Sequence, residues 1–130
     1  MRQVVCLACV HVLLLLVGCA GGGGQGRPLT IRGELAFRER IAVPTESVAV
    51  VELARAKDGR VVAEQRLPLA GRQGPVPFEL KALRPAFEDG ETYFVRGAIA
   101  VYGRTRWVSN SAEIQARPGS VDVGPLVLKP

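Results

Sequence analysis

The chain has 130 residues, with 17 Lys+Arg against 12 Asp+Glu, a net charge of +5, three cysteines and one histidine. Cys6, Cys9, Cys19 and His11 all fall within the first nineteen positions. Beyond Cys19 the chain therefore cannot build a disulfide framework, a zinc site, a Cys–His nucleophile or a Ser–His–Asp triad.

Arg2 opens the sequence, and Val4 to Val17 is apolar apart from His11. A charged start, a short apolar core and small residues at the cut are the layout of a secretory signal. The run is too short for a bilayer-spanning helix, which takes about 20 apolar residues. Leu16-Val17-Gly18-Cys19 resembles the lipobox of bacterial lipoproteins. That resemblance implies removal of residues 1–18 by cleavage between Gly18 and Cys19, and a diacylglyceryl thioether on Cys19 with acylation of its freed amine. Several acyl chains hold firmly to a membrane where one holds only marginally. Ala20 follows the cysteine, and the absence of an Asp there implies, by the same resemblance, sorting to the outer membrane facing the periplasm. With Arg2 gone, 16 Lys+Arg stand against 12 Asp+Glu. The surplus is nearly all arginine and is spread along the chain. This weakens a steering role and, with the expected compartment, argues against nucleic acid.

Residues 19–28 form the lipidated cysteine and a Gly-rich tether, with a reach of about 15 Å. The folded domain is expected over 29–130. Leu29, Ile31, Gly33, Leu35 and Phe37 alternate with Thr30, Arg32, Glu34, Ala36 and Arg38, the period of a strand with one wet face. Val48 to Ala56 is more continuously apolar and reads as a central strand, turned at Asp58-Gly59 into Val61 to Leu69. Val76, Phe78 and Leu80 mark the next strand, and Pro77 places it at an edge. Tyr93 to Val101 is long; Gly103 turns it into Thr105 to Asn110. Glu113 to Arg117 and Val121 to Leu128 follow, separated by Pro118-Gly119. Helical periodicity is absent, with at most one short turn at Leu83 to Phe87. The expectation is all-β: a small β-sandwich or barrel of seven or eight strands.

Gly33-Glu34-Leu35-Ala36-Phe37-Arg38-Glu39-Arg40-Ile41-Ala42-Val43-Pro44 resembles the signature of the YbaY/YscW-type bacterial lipoproteins. Val43 stands where leucine is usual. Val50-Val51-Glu52-Leu53, Pro77-Phe78-Glu79-Leu80 and Tyr93-Phe94-Val95-Arg96 extend the similarity over most of the domain. The chain departs from the pattern at Thr45-Glu46-Ser47 and Ala54-Arg55, which puts shared contacts around 44–56 in question. The resemblance implies a β-sandwich lipoprotein of the outer membrane; one branch of the family pilots a secretin ring into that membrane.

Arg38-Glu39-Arg40 is the densest charge cluster. Read as strand, it puts both arginines on one side, where they either grip a partner's carboxylate or phosphate or pair with Glu52 or Glu79. The structural pairing is the expectation. Arg104, Arg106 and Trp107, near Tyr102, form the basic-aromatic combination: a core plug at Trp107 is expected, a contact surface is the alternative. Glu88, Asp89 and Glu91 are adjacent, and a glycan hydrolase needs two carboxylates, but nothing in their spacing sets one apart from another.

The sequence thus predicts a monomeric, non-enzymatic binding or chaperone module. It has no cofactor, metal or small-molecule substrate, is held by Cys19, and takes an envelope client such as a secretin, using an exposed strand edge away from Pro77. The alternatives are a housekeeping or glycan-associated envelope lipoprotein and, last, a hydrolase using Glu88 or Glu91.

Overall fold

The computed structural model describes residues 26–130; the signal segment, the Gly18–Cys19 cleavage site, Cys19 itself and most of the tether lie outside the described residues. Eight strands follow one another: β1 (Leu29–Phe37), β2 (Ser47–Arg55), β3 (Val61–Pro68), β4 (Val76–Ala82), β5 (Thr92–Val101), β6 (Arg104–Ser109), β7 (Ala112–Gln115) and β8 (Gly119–Lys129). The fold is all-β, as expected, and each strand read from period-two alternation is present.

The strands form one sheet in the order β3-β2-β5-β6-β8-β1-β4, with β7 also on β5. All pairings are antiparallel except β1 with β8. The path curls until its two edges, β3 and β4, face each other, so the sheet is nearly a barrel. At that seam the Glu79 amide donates to Gln65 Oε1 at 3.0 Å. β4 is indeed an edge strand. Its Pro77 has no N–H to offer a further strand, and its Glu79 donor is already taken. The other edge, expected to stand open for strand addition, instead looks across the seam at β4.

Alternate side chains fill the interior. Leu29, Ile31 and Leu35 from β1 meet Ala49, Val51 and Leu53 from β2, Phe78 and Leu80 from β4, and Tyr93, Val95 and Ile99 from β5, all buried. Burial at about 25 cal/mol per Å² of apolar surface is the main stabilising term here, as no disulfide is available after Cys19. Two glycines permit this packing. A Cβ on Gly33 would lie 2.7 Å from Phe78 Cζ and 2.8 Å from the Gly124 carbonyl oxygen, where β8 bulges against β1. A Cβ on Gly97 would overlap Leu35 Cδ2.

β5 changes partner along its length: Thr92–Val95 pairs with β7 and Ala98–Val101 with β6. At the junction the Gly97 amide donates to Ser109 Oγ at 2.7 Å, and that hydroxyl donates to the Asn110 carbonyl at 2.6 Å. A side chain thus takes the donor that the ladder leaves unpaired.

Candidate functional site

Strand directions sort the loops onto two ends. β1, β3, β5 and β8 finish at one end, where β2, β4 and β6 begin. At the opposite end lies Pro28, whose carbonyl accepts from the Gly119 amide at 3.0 Å. The nine residues of β1 hold the ends about 26 Å apart. The chain therefore enters the domain at the base, and the other end forms a rim.

At the base, two ion pairs hold the turns, while Lys57, Arg60 and Arg117 form none among the described residues. Arg55 grips Asp58 at 2.6 and 3.1 Å, and the Arg60 amide donates to the same carboxylate. These bonds, that from Arg55 first, hold the Asp58 carboxyl down at about 2. Arg84 pairs with Asp89 and lies 5.7 Å over the Phe87 ring. Glu88 is exposed; its amide donates to the buried Tyr93 hydroxyl at 3.1 Å. Leu83 to Phe87 makes a single turn, closed by the Ala86 amide on the Leu83 carbonyl.

The rim is different. β1 ends at Phe37, so Arg38-Glu39-Arg40 is exposed loop, not strand. The expected pairing with Glu52 or Glu79 does not form. Glu52 holds Arg96 directly across the β2–β5 ladder at 3.0 Å, and Glu79 holds Arg32 and Lys81 at 2.8 and 3.2 Å. Cross-strand neighbours occupy both carboxylates before the loop can reach them, and Glu79 is held below its ordinary pKa by Arg32 first and Lys81 second.

Trp107 is half-buried. It packs on the core cluster, as expected of a plug, and meets Phe37 edge-on with ring centroids 6.5 Å apart. Its outer face also opens on a groove of about 280 Å³ that it shares with Phe37, Arg38, Glu39, Ile41 and Lys129. The structure thus joins Arg38 and Trp107, two candidates from distant parts of the sequence, in one depression. On the other side of the 37–41 segment, Arg38 and Arg40 border a second depression of about 220 Å³ against Gln73, Gly74 and Pro75. Arg104 and Arg106 are exposed on β6 beside Trp107, Arg106 at the bulge where β6 slips its register on β5. Larger depressions of about 600 and 740 Å³ lie elsewhere, one on the face around Pro77 and Asp122, one along the seam between Val62 and Leu83.

Sequence reasoning missed Lys129 as a rim residue and named Tyr102 only as a neighbour of the basic-aromatic combination. Tyr102 is 77% exposed, with a positive φ of 50° in the two-residue turn it forms with Gly103. The nearby Glu46 carboxylate, by its charge first and by hydrogen bonding second, raises its phenol above the ordinary value. Its place just ahead of Gly103 was the available signal. Among the described residues no group of three or more His, Cys, Asp or Glu side chains could hold a metal ion.

Among the described residues, the small all-β domain thus carries a cationic and aromatic rim at the end away from Pro28. The chain belongs to the YscW family, described as type III secretion system lipoprotein chaperones, whose model matches residues 27–120. It is also similar to the solved structure of an alternative pilotin from the type II secretion system of Vibrio cholerae. That likeness has a TM-score of 0.64 and 27% sequence identity, covering 79% of this chain and 98% of that one. No curated protein matches the chain.

Proposed function

We propose that this protein is an outer-membrane-anchored, periplasmic pilotin-like chaperone that binds an envelope client, of the secretin kind, without catalysing a reaction. The family match over residues 27–120, together with the fold likeness to a pilotin, carries this reading. In it, acyl chains on Cys19 hold the domain at the membrane. The short tether raises the effective concentration of the domain there, so a modest affinity for the client suffices. Arg38, Arg40, Arg104, Arg106 and Trp107 are the contact side chains, and the protein works as a monomer.

The test is deletion and complementation in the native host, reading assembled secretin in the outer membrane. The wild-type gene should restore assembly. Cys19→Ser should leave a folded domain that neither fractionates with the outer membrane nor restores assembly. Unchanged secretin assembly on deletion would sink the piloting role and leave a housekeeping envelope lipoprotein. For a hydrolase based on Glu88 or Glu91 the geometry offers one partly buried carboxylate, Glu91, whose Oε2 has no hydrogen-bond partner, while Glu88 lies exposed in a turn beside an Asp89 already held by Arg84.

A further inference from the structure

The rim gathers cations with no internal partner. Arg38, Arg40, Arg72, Arg104, Arg106 and Lys129 are all exposed there, and none forms an ion pair among the described residues. Only Glu39 and Glu46 oppose them, and Glu46 lies against Tyr102. Folding therefore concentrates at one end a positive surplus that looks evenly scattered in the sequence. Contacts place the loops together: a Cβ on Gly71 would lie 3.5 Å from Thr45 Cγ2, joining the 69–75 loop to the 38–46 loop.

An apolar slot runs through this field. Phe37, Ile41 and Trp107 are partly buried and packed against the core, leaving their outer faces in the groove between Arg38 and Lys129. Tyr102 adds a second indication. A tyrosine in the left-handed backbone region is strained relative to a residue suited to it, and such strain clusters at functional sites. Here an aromatic side chain is kept exposed beside the arginines.

We propose that the rim groove takes an acidic polypeptide segment that inserts an apolar side chain between Phe37 and Trp107 while its carboxylates meet Arg38, Lys129 and the β6 arginines. This deepens the binding role proposed above, on which it rests, by naming the chemistry of the client's docking segment. Guanidinium groups suit paired hydrogen bonds to carboxylates, and the half-buried aromatic pair supplies the desolvated centre that interface anchors require. Charge complementarity at an exposed rim speeds encounter and makes the contact sensitive to salt.

Trp107 is the single tryptophan of the chain, so its emission reports on this groove alone. The full-length protein in nonionic micelles is titrated with a synthetic capped peptide of glutamates and aspartates around two leucines. Controls are the same peptide with lysine for each acid, a leucine-free acidic peptide, and phosphatidylglycerol vesicles. The acidic leucine peptide should shift Trp107 emission saturably, and binding should weaken sharply as salt shortens the screening length from about 10 to about 3 Å. Arg38→Glu with Lys129→Glu should weaken it about tenfold or more, whereas Lys57→Glu with Arg60→Glu at the base should not. An equal response to the lysine peptide, or to the leucine-free peptide, would overturn the proposal. So would a response to vesicles but not to the peptide, which would make the rim a lipid surface. If the peptide fails while deletion still abolishes client assembly, only the docking chemistry falls and the chaperone role stands.

Discussion

At the scale of single residues, one side chain at each end makes a sharp test. Asp58 accepts bonds from Arg55 and from the Arg60 amide, and its carboxyl titrates near 2 instead of at the ordinary 3.8. Because the folded value lies below the unfolded one, this pair stabilises the hairpin above the unfolded pKa. The contribution fades as pH falls from about 4 through about 2. Carboxyl NMR titration should find the low value in the wild type and a return most of the way to the ordinary value in Arg55→Ala. An unchanged titration in that variant would show that the amide alone sets it. Tyr102 makes the opposite test. Asn-Gly is the preferred pair for a two-residue turn with both φ angles positive, and the chain has Tyr102-Gly103 there with φ of 50° and 73°. Tyr102→Asn should raise Tm by about 2–5 °C while weakening client binding. A variant that lost stability would remove the strain argument.

At the scale of elements, β5 is the strand on which the fold turns, since it pairs with β2 on one side and with β6 and β7 in succession on the other. Gly97 sits at that change of partner against Leu35. Gly97→Ala overfills the contact and should destabilise the domain by about 1–3 kcal/mol in denaturant unfolding. Ser109→Ala strips the Gly97 amide of its acceptor and should cost about 1–3 kcal/mol in the same measurement. If both variants unfold like the wild type, the junction is not a weak point. Much of this element list was legible beforehand: β1, β4 and β5 by alternation, β2 by a continuous apolar run, and the turns at Asp58-Gly59, Gly103 and Pro118-Gly119 by their chemistry. Two local features were not. Arg38 and Arg40 were read as strand because alternation runs on past Phe37, whereas the ladder between β1 and β8 stops there. The close approach of Leu35 to Gly97 is set by strands 62 residues apart and leaves no trace near either residue.

At the scale of the whole molecule, what the sequence concealed was polarity. Composition shows scattered arginine; the curl of the sheet decides which arginines find carboxylates across a ladder and which are left at the rim. Glu52 and Glu79 lie mid-strand, so Arg96 and Arg32, their cross-strand neighbours, neutralise them. The loop arginines have no such neighbour. Pro28 meanwhile fixes the chain's entry at the base, about 26 Å away along β1. On the proposed reading, a chaperone anchored through Cys19 carries its client on the end turned from its anchor. Site-specific photocrosslinking in intact cells tests that most directly, with the photoreactive residue at position 106 on the rim or position 60 at the base. The account predicts a discrete adduct with an envelope client from position 106, absent from position 60 and lost in Cys19→Ser. Adducts only with lipid and abundant porins, or the same client from both positions, would contradict it.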